Sequence, residues 1–185
     1  MSITCCVDEI NLIKECLAGN RNAQQQLYQK HAAKMLGICY RYVQSIEEAE
    51  DILQDGFVKV FIHLKKFKGE GSLEGWIRKV MVNTALNYLK ANHRFTETIK
   101  EDEVDDHPEW RADSDSETKE IMEEIRLLPT GFRTVFNLYA IEGYSHKEIG
   151  ELLNISEGTS RSQYSRARNA LMKKLTGKMS REEKR

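Results

Sequence analysis

Apolar residues recur at steps of three and four along the first ninety residues, and this spacing predicts amphipathic α-helices. Polar and glycine residues interrupt the pattern at 19–22 and 69–72, and strand-like alternation is almost absent. The predicted apolar stripes are Ile10, Ile13 and Leu17; Leu27, Met35, Ile38 and Tyr42; Leu53, Phe57, Val60, Phe61 and Leu64; and Ile77, Met81, Thr84 and Tyr88 on a helix over 73–91. Four helices of this kind predict one compact bundle.

Helical spacing returns after about residue 115 and predicts a second, smaller unit of four helices. Ser114 and Glu117 have the spacing of a capping box, and Pro129 is expected to stop the helix that follows. The apolar positions are Ile121, Ile125 and Leu128, then Val135, Leu138 and Tyr139, with Gly143 ending the second stretch. The chain is therefore predicted to be all-α with two domains.

The last third of the chain has the spacing of a helix-turn-helix. Ser145 and Glu148 form an S-x-x-E capping box, and Ser156, eleven residues after Ser145, is placed to cap a second helix. One side of that helix is expected to pack inward, with Ser160, Tyr164, Ala167, Leu171 and Leu175. The other side carries Glu157, Arg161, Ser162, Ser165, Arg166 and Arg168, which suit a major groove. The alternative is a two-helix corner with a solvated basic face.

Charge is segregated along the 185 residues, although the formal net charge is only −1. Residues 97–120 hold eleven acidic side chains against three lysines or arginines, whereas residues 156–185 hold nine basic against three acidic. From residue 92 to about residue 115 the chain turns acidic and loses its apolar periodicity, which predicts a flexible connector. No apolar run approaches the roughly 18 residues of a spanning helix, and no secretory-signal pattern is present. We therefore expect a cytoplasmic protein without membrane insertion.

The four cysteines, Cys5, Cys6, Cys16 and Cys39, lack C-x-x-C spacing, and the histidines are scattered singly. This pattern favours reduced thiols and no metal site or cofactor. Only the adjacent pair Cys5 and Cys6 leaves a redox role open.

The third predicted helix carries a second stripe beside its apolar one. Asp51, Gln54, Asp55 and Val58 combine acidic, amide and apolar character, which suits a protein partner. An ordinary amphipathic helix also places solvated charges there, so the stripe alone leaves both interpretations open.

The fourth predicted helix carries side chains typical of nucleic-acid binding. Trp76, Lys79, Asn83 and Asn87 lie at i, i+3, i+7 and i+11, beside Arg78. The preceding loop holds Phe67, Lys68 and Ser72. Bases stack on aromatic rings, and an asparagine can bind the Watson–Crick edge of an extruded base. The alternative is that Trp76 belongs to the core and the asparagines are ordinary surface residues.

Taken together, these motifs resemble those of the extracytoplasmic-function (ECF) sigma factors, the small two-domain specificity subunits of bacterial RNA polymerase. The resemblance covers about residues 8–175. It rests on AEDILQDGFVKVF at 49–61 (region 2.2); on FKG at 67–69, WIR at 76–78 and VNTALNYL at 82–89 (regions 2.3 and 2.4); and on LP at 128–129, RTVF at 133–136, EGYS at 142–145 and SEGTSRSQYSRAR at 156–168 (region 4).

The resemblance implies a role for each residue set. The stripe Asp51, Gln54, Asp55 and Val58 would dock on the clamp helices of the polymerase β′ subunit, and the C-terminal module would lie on the β flap. The minus-10 element would be bound by Phe67, Lys68, Ser72, Trp76, Arg78, Lys79, Asn83 and Asn87. The minus-35 element would be bound by Glu157, Thr159, Arg161, Ser162, Ser165 and Arg166. An anti-sigma factor is a further expected partner.

The resemblance also implies a domain division, with region 2 at 1–91, an acidic flexible linker at 92–115, region 4 at 116–177 and a basic tail at 178–185. Many relatives carry an aliphatic residue where Ser160 stands, arginine at Gln163 and a bulkier residue at Ser165. The minus-35 bases therefore cannot be transferred from better-known members.

Two rival functions differ in class. A stand-alone helix-turn-helix regulator would bind its operator tightly without polymerase, usually as a dimer. A nuclease would need clustered acidic metal ligands, for which Glu48, Asp51 and Asp55 form the only dense helical group. We predict a promoter-specificity factor with no catalytic residues.

Overall fold

The computed structural model describes the backbone of residues 3–92 and 116–182 and the side chains of residues 9–92 and 121–174. Within these ranges every regular element is helical, which confirms the all-α prediction. The helices are α1 (Ile3–Leu17), α2 (Arg21–Tyr40), α3 (Ile46–His63), α4 (Leu73–Ala91), α5 (Ser116–Arg126), α6 (Thr130–Phe136), α7 (His146–Leu153) and α8 (Glu157–Glu182). A 3₁₀ turn, Leu64–Lys66, follows α3, and a π-helical turn, Asn137–Ile141, continues α6.

The chain divides into two compact units. The first consists of Met1–Tyr40 and Ser45–Tyr88, and the second of Arg41–Gln44 and Leu89–Arg185. The predicted linker lies outside the described residues from residue 93 onward, as does Ser114 of the predicted capping box.

The core of the first unit is built from the apolar faces of α2, α3 and α4, as their spacing predicted. Its buried side chains include Leu27, Met35, Ile38, Leu53, Phe57, Val60, Leu64, Ile77 and Met81. The Tyr28 and Phe57 rings, 4.7 Å apart, join α2 to α3. At the rim of this core the Tyr88 hydroxyl donates to Glu48 Oε1 at 3.2 Å, linking α4 to α3.

The stripe predicted on α1 matches the side that α1 buries only in part, since Ile13 is half-buried. Ile10 and Leu17 are about half exposed, at 51% and 50%, whereas Cys16 is buried. An α-helix turns by about 100° per residue, so a packed side centred on Cys16 directs Leu17 outward. Burial also raises the pKa of the Cys16 thiol, which favours its neutral form.

Local side-chain chemistry sets the start of α3. The Ser45 hydroxyl accepts from the Glu48 amide at 3.2 Å, and the Glu48 carboxylate accepts from the Ser45 amide at 3.3 Å. This capping box has the same S-x-x-E spacing as the one at Ser145, so the sequence itself carries the signal for the start of α3.

The core of the second unit joins α5 to α8. Ile125, Leu128, Ala167 and Leu171 form a buried cluster, and Phe132, Phe136, Ile141 and Ala170 pack against it. Val135 and Leu138 are buried as expected, but Tyr139 is 38% exposed. Arg133 is buried, and its guanidinium donates to the Arg126 carbonyl at 2.7 Å. Hydrogen bonding lowers the cost of burying this cation.

Helix α8 continues to Glu182, beyond the boundary expected at Gly177. A glycine inside a helix costs only about 1 kcal/mol relative to alanine, and the surrounding lysines, methionine and arginine favour helix. The side chain of Leu175, predicted to face inward, lies outside the described residues. No helix in the described part of the chain is long and apolar enough to cross a membrane.

Candidate nucleic-acid interfaces

The first helix of the predicted helix-turn-helix begins at the expected cap. The Ser145 hydroxyl accepts from the Glu148 amide at 3.3 Å, and the Glu148 carboxylate accepts from the Ser145 amide at 2.8 Å. Hydrogen bonds from the Ser145 side chain and backbone lower the pKa of Glu148 and keep its carboxylate ionised. The predicted capping box is confirmed, and it defines where α7 starts.

In the turn between α7 and α8 the backbone at Ile155 lies close to the backbone at Gly150. Asn154 ends α7 in the left-handed conformation, with φ at 56°. The Ile155 amide donates to the Gly150 carbonyl at 3.0 Å, and a Cβ built on Gly150 would lie 2.8 Å from the Ile155 carbonyl oxygen. Only glycine fits at position 150 without a backbone shift.

The second helix begins at Ser156, as its sequence predicted. The Ser156 hydroxyl accepts from the Thr159 amide at 2.9 Å and lies 2.8 Å from the Thr159 hydroxyl. Thr159, assigned to the minus-35 set, is half-buried, and its hydroxyl is part of the cap. These bonds give α8 a defined N-terminal turn.

The remaining minus-35 candidates, Glu157, Arg161, Ser162, Ser165 and Arg166, are all exposed on α8. Arg161 donates to the Glu157 carboxylate from Nε at 3.1 Å and from Nη2 at 2.6 Å. The hydrogen bond from Arg161 and its charge lower the pKa of Glu157. Arg161 and Glu157 therefore form an ion pair on the exposed face of α8.

The predicted minus-10 residues lie around the start of α4 in the first unit. The Ser72 hydroxyl accepts from the Gly75 amide at 3.0 Å and caps the helix. The Phe67 and Trp76 rings are 5.9 Å apart and inclined at 50°, and both are half-buried. The loop carrying Phe67 is thus packed against α4 through an aromatic pair that keeps some exposed surface.

The outer face of α4 carries the rest of this set. Lys79, Asn83 and Asn87 are exposed, and Arg78 is half-buried. Ile77, Met81 and Thr84 are buried on the opposite side. Lys68 is exposed in the loop. The structure therefore presents an aromatic pair, two amides and cations along one helix and its leading loop, a combination suited to unpaired bases.

The stripe predicted to bind a protein partner is exposed along α3. Asp51, Gln54, Asp55 and Val58 are all exposed, and Val58 is 55% accessible although it is aliphatic. Asp55 accepts from Lys59 at 2.8 Å, and the same lysine lies 3.4 Å from the Thr84 hydroxyl on α4.

Comparison with known proteins identifies the family. The Sigma-70 region 2 family model matches residues 27–95, and the Sigma-70, region 4 model matches residues 118–171. The RNA polymerase sigma-H factor of Pseudomonas aeruginosa is 30% identical over 177 residues, which cover 89% of this chain and 92% of that protein. The ECF RNA polymerase sigma factor SigW of Bacillus subtilis is 31% identical over 176 residues, which cover 88% and 94%. The chain belongs to the ECF sigma factors.

The fold of this sigma factor is similar to a solved structure, that of the sigma factor RpoE in complex with the anti-sigma factor NepR from Bartonella quintana. The TM-score is 0.50, with 21% sequence identity, covering 82% of this chain and 96% of that one. The resemblance seen in the motifs is confirmed, while the roles of individual residues stay predictions.

The structure explains why this sigma factor has a serine at position 160. Ser160 is fully buried, and its hydroxyl lies 2.9 Å from His146 Nδ1 on α7. The His146 ring stacks on Tyr139 at 4.2 Å, nearly parallel. Desolvation, with the charge of Arg161 second, lowers the pKa of His146 and favours its neutral form. A polar contact thus joins the two helices of the helix-turn-helix.

The burial of the neighbouring Gln163 was not predicted from the sequence. This side chain is only 7% exposed on the inward side of α8, between Ser160 and Ala167. The helical period is compatible with that position, but glutamine carries no hydrophobic signal that marks it as buried.

Proposed function

We propose that this sigma factor binds the core of bacterial RNA polymerase and directs it to promoters through minus-10 and minus-35 elements. The observation that carries the proposal is the exposed face of α8, where Arg161, Ser162, Ser165 and Arg166 are presented on a capped helix. Arginine forks onto guanine edges in the major groove, and serine binds either bases or phosphates. The names of the polymerase sigma factors related to this chain support the same function.

The two units would divide the task of recognition. The α7–α8 unit would bind minus-35 duplex and position the complex, while α4 and its leading loop would capture unpaired minus-10 bases. Opening a duplex costs on the order of 1.4 kcal/mol per base-pair step in stacking, and stacking a base on an aromatic ring returns about 1–3 kcal/mol. Capture of one or two bases on Phe67, Trp76 and Asn83 would therefore offset the free-energy cost of local melting.

The polymerase supplies the chemistry, and this chain contributes no catalytic step. We place its action in the bacterial cytoplasm, where the polymerase works. The proposed domain division is region 2 at 1–91, a linker at 92–115, region 4 at 116–177 and a tail at 178–185. The family matches at 27–95 and 118–171 support this division.

Run-off transcription with core polymerase on genomic fragments tests the function. We expect new, specific transcripts with wild-type protein, and no tight DNA binding by the protein alone. Autonomous operator binding with no effect on core would instead support a stand-alone regulator. Magnesium-dependent DNA cleavage would support a nuclease.

Two variants separate the roles of the units. Asn83→Ala is expected to lower promoter opening about tenfold or more, because one good base contact contributes about 1–3 kcal/mol. Arg161→Ala should weaken binding of closed duplex by a similar factor while leaving opening of bound promoter intact. Asn11→Ala and Arg21→Ala replace exposed residues on α1 and α2 and serve as matched controls. If both variants were equally defective in promoter opening and in duplex binding, the proposed division of roles between the two units would be contradicted.

An anti-sigma factor is the second proposed partner. The solved sigma factor of similar fold was crystallised with one, which supports the proposal. A protein that copurifies with this chain from its own bacterium should lower run-off transcription when added back. Copurification of polymerase subunits alone, at all growth conditions, would contradict the proposal.

A further inference from the structure

The lysines of residues 21–88 fall into two groups. Lys30, Lys34 and Lys59 are paired with carboxylates of Glu9, Glu74 and Asp55, with N–O distances of 3.7 Å for the Lys30 pair and 2.8 Å for the Lys59 pair. By contrast, Lys65, Lys66, Lys68 and Lys79 have no ion-pair partner among the residues that the structure describes. The second group surrounds the loop that leads into α4.

Two members of this group, Lys65 and Lys66, belong to neither the predicted polymerase face nor the predicted minus-10 set. They occupy the 3₁₀ turn Leu64–Lys66, which Leu64 anchors by its burial. The Phe67 amide closes the turn by donating to the Leu64 carbonyl at 3.0 Å. Both lysines are exposed, directly before the ring that packs on Trp76. The turn therefore fixes two unpaired cations beside the aromatic pair.

The chemistry of these residues matches a phosphate better than a base. Lysine is a compact charge on a flexible stem, without the fork that arginine uses on a base edge. Between residues 64 and 72 there are three lysines and one acidic residue, Glu70, so the local field is positive. The backbone of a strand whose bases stack on Phe67 and Trp76 would pass near this turn, because Lys65 and Lys66 directly precede Phe67 in the chain.

We propose that Lys65 and Lys66 bind the phosphates of the DNA strand whose bases contact the loop and α4. This inference rests on the proposed function and extends the minus-10 site by a contact that does not depend on base sequence. The two lysines would hold the strand beside the aromatic pair, and their contribution would come from released counterions.

The salt dependence of promoter binding by the reconstituted holoenzyme tests this role. Each phosphate contact contributes about 0.7 to 0.9 to the slope of log affinity against log salt. The double variant Lys65→Gln and Lys66→Gln should therefore make the dependence on salt shallower. The magnitude of the slope should fall by roughly 1.5 between about 50 and 200 mM salt. Its preference for the promoter over a minus-10 mutant should be unchanged, because no base contact is lost.

Matched variants make the result decisive. Lys65→Arg with Lys66→Arg keeps both charges and should retain the wild-type slope. Lys14→Gln with Lys30→Gln neutralises two lysines on α1 and α2 and should also leave it unchanged. A wild-type slope in the Lys65→Gln, Lys66→Gln protein, or an altered base preference, overturns the inference. Absence of promoter-specific binding by the wild-type holoenzyme would instead refute the proposed function.

Discussion

A single buried histidine links the stability of the first unit to pH. His31, on α2, is 4% exposed, and its Nε2 has no hydrogen-bond partner among the described residues. Burial is the main cause of its lowered pKa; the charges of Lys30 and Lys34 act in the same direction, and Glu74 and Glu9 partly oppose them. The neutral ring is therefore the form that packs in the folded protein.

We expect the first unit to lose stability as the pH falls. The pKa of His31 is lower in the folded chain than its ordinary 6.5, so the unfolded chain binds more protons below that pH. The histidine's contribution is fully present above about pH 6.5 and is lost as the pH falls toward the folded pKa. Thermal unfolding at pH 7.5, 6.5 and 5.5 measures this, since each kcal/mol shifts Tm by about 4–8 °C in such a domain.

Substitution of the histidine provides the control. His31→Leu removes this titrating group and should make the Tm of the first unit less dependent on pH between 7.5 and 5.5. An identical pH profile in wild type and His31→Leu would exclude His31 as the cause.

The helix-turn-helix depends on local chemistry at its caps and on one close contact at its turn. Ser145 and Ser156 set the starts of α7 and α8, and Gly150 allows the chain to pass the Ile155 carbonyl. The caps follow from short-range sequence signals. The need for glycine at position 150 follows from how the two helices meet.

Two glycine substitutions separate close packing from helix propensity. Gly150→Ala should destabilise the second unit by about 1–3 kcal/mol, because its Cβ would press on backbone that cannot move freely. Gly158→Ala places its Cβ at an ordinary 3.7 Å from the Ser156 hydroxyl and should be neutral or stabilise by about 0.4–1 kcal/mol. Chemical denaturation of both full-length variants measures the difference, and equal stabilities would contradict the assigned contact.

For the whole molecule, the proposed function requires association with a much larger partner. The stripe on α3 ends in exposed Val58, which follows acidic Asp51 and Asp55. An exposed aliphatic residue next to charged ones is typical of an interface whose centre becomes buried on binding.

Val58→Asp is therefore expected to weaken association with core polymerase by about tenfold or more, which corresponds to at least 1.4 kcal/mol. Stability should change by less than about 0.5 kcal/mol, because the side chain is exposed. Ile10→Asp is the matched control, since Ile10 is 51% exposed on α1 of the same unit. Fluorescence anisotropy measures the affinity of each variant for core polymerase. Equal losses of affinity for both variants would show that the effect is not specific to the stripe.

Much of the fold followed from patterns that act over a few residues. The bounds of α4, the buried stripes of α2 and α3 and both caps of the helix-turn-helix were predictable, because helical period and capping depend on neighbours within one or two turns. The exposed faces of α8 and α4 followed for the same reason. The family was evident from several motifs in order.

Other features depend on residues that are distant along the chain. Packing against α2 selects Cys16 rather than Leu17 as the buried position of α1, and buried Ser160 contacts His146 on α7. Which lysines find a carboxylate also depends on how helices meet, as with Lys34 on α2 and Glu74 on α4. Periodicity assigns a residue to a side of its helix, but only contacts between helices decide which sides are covered and which charges stay unpaired.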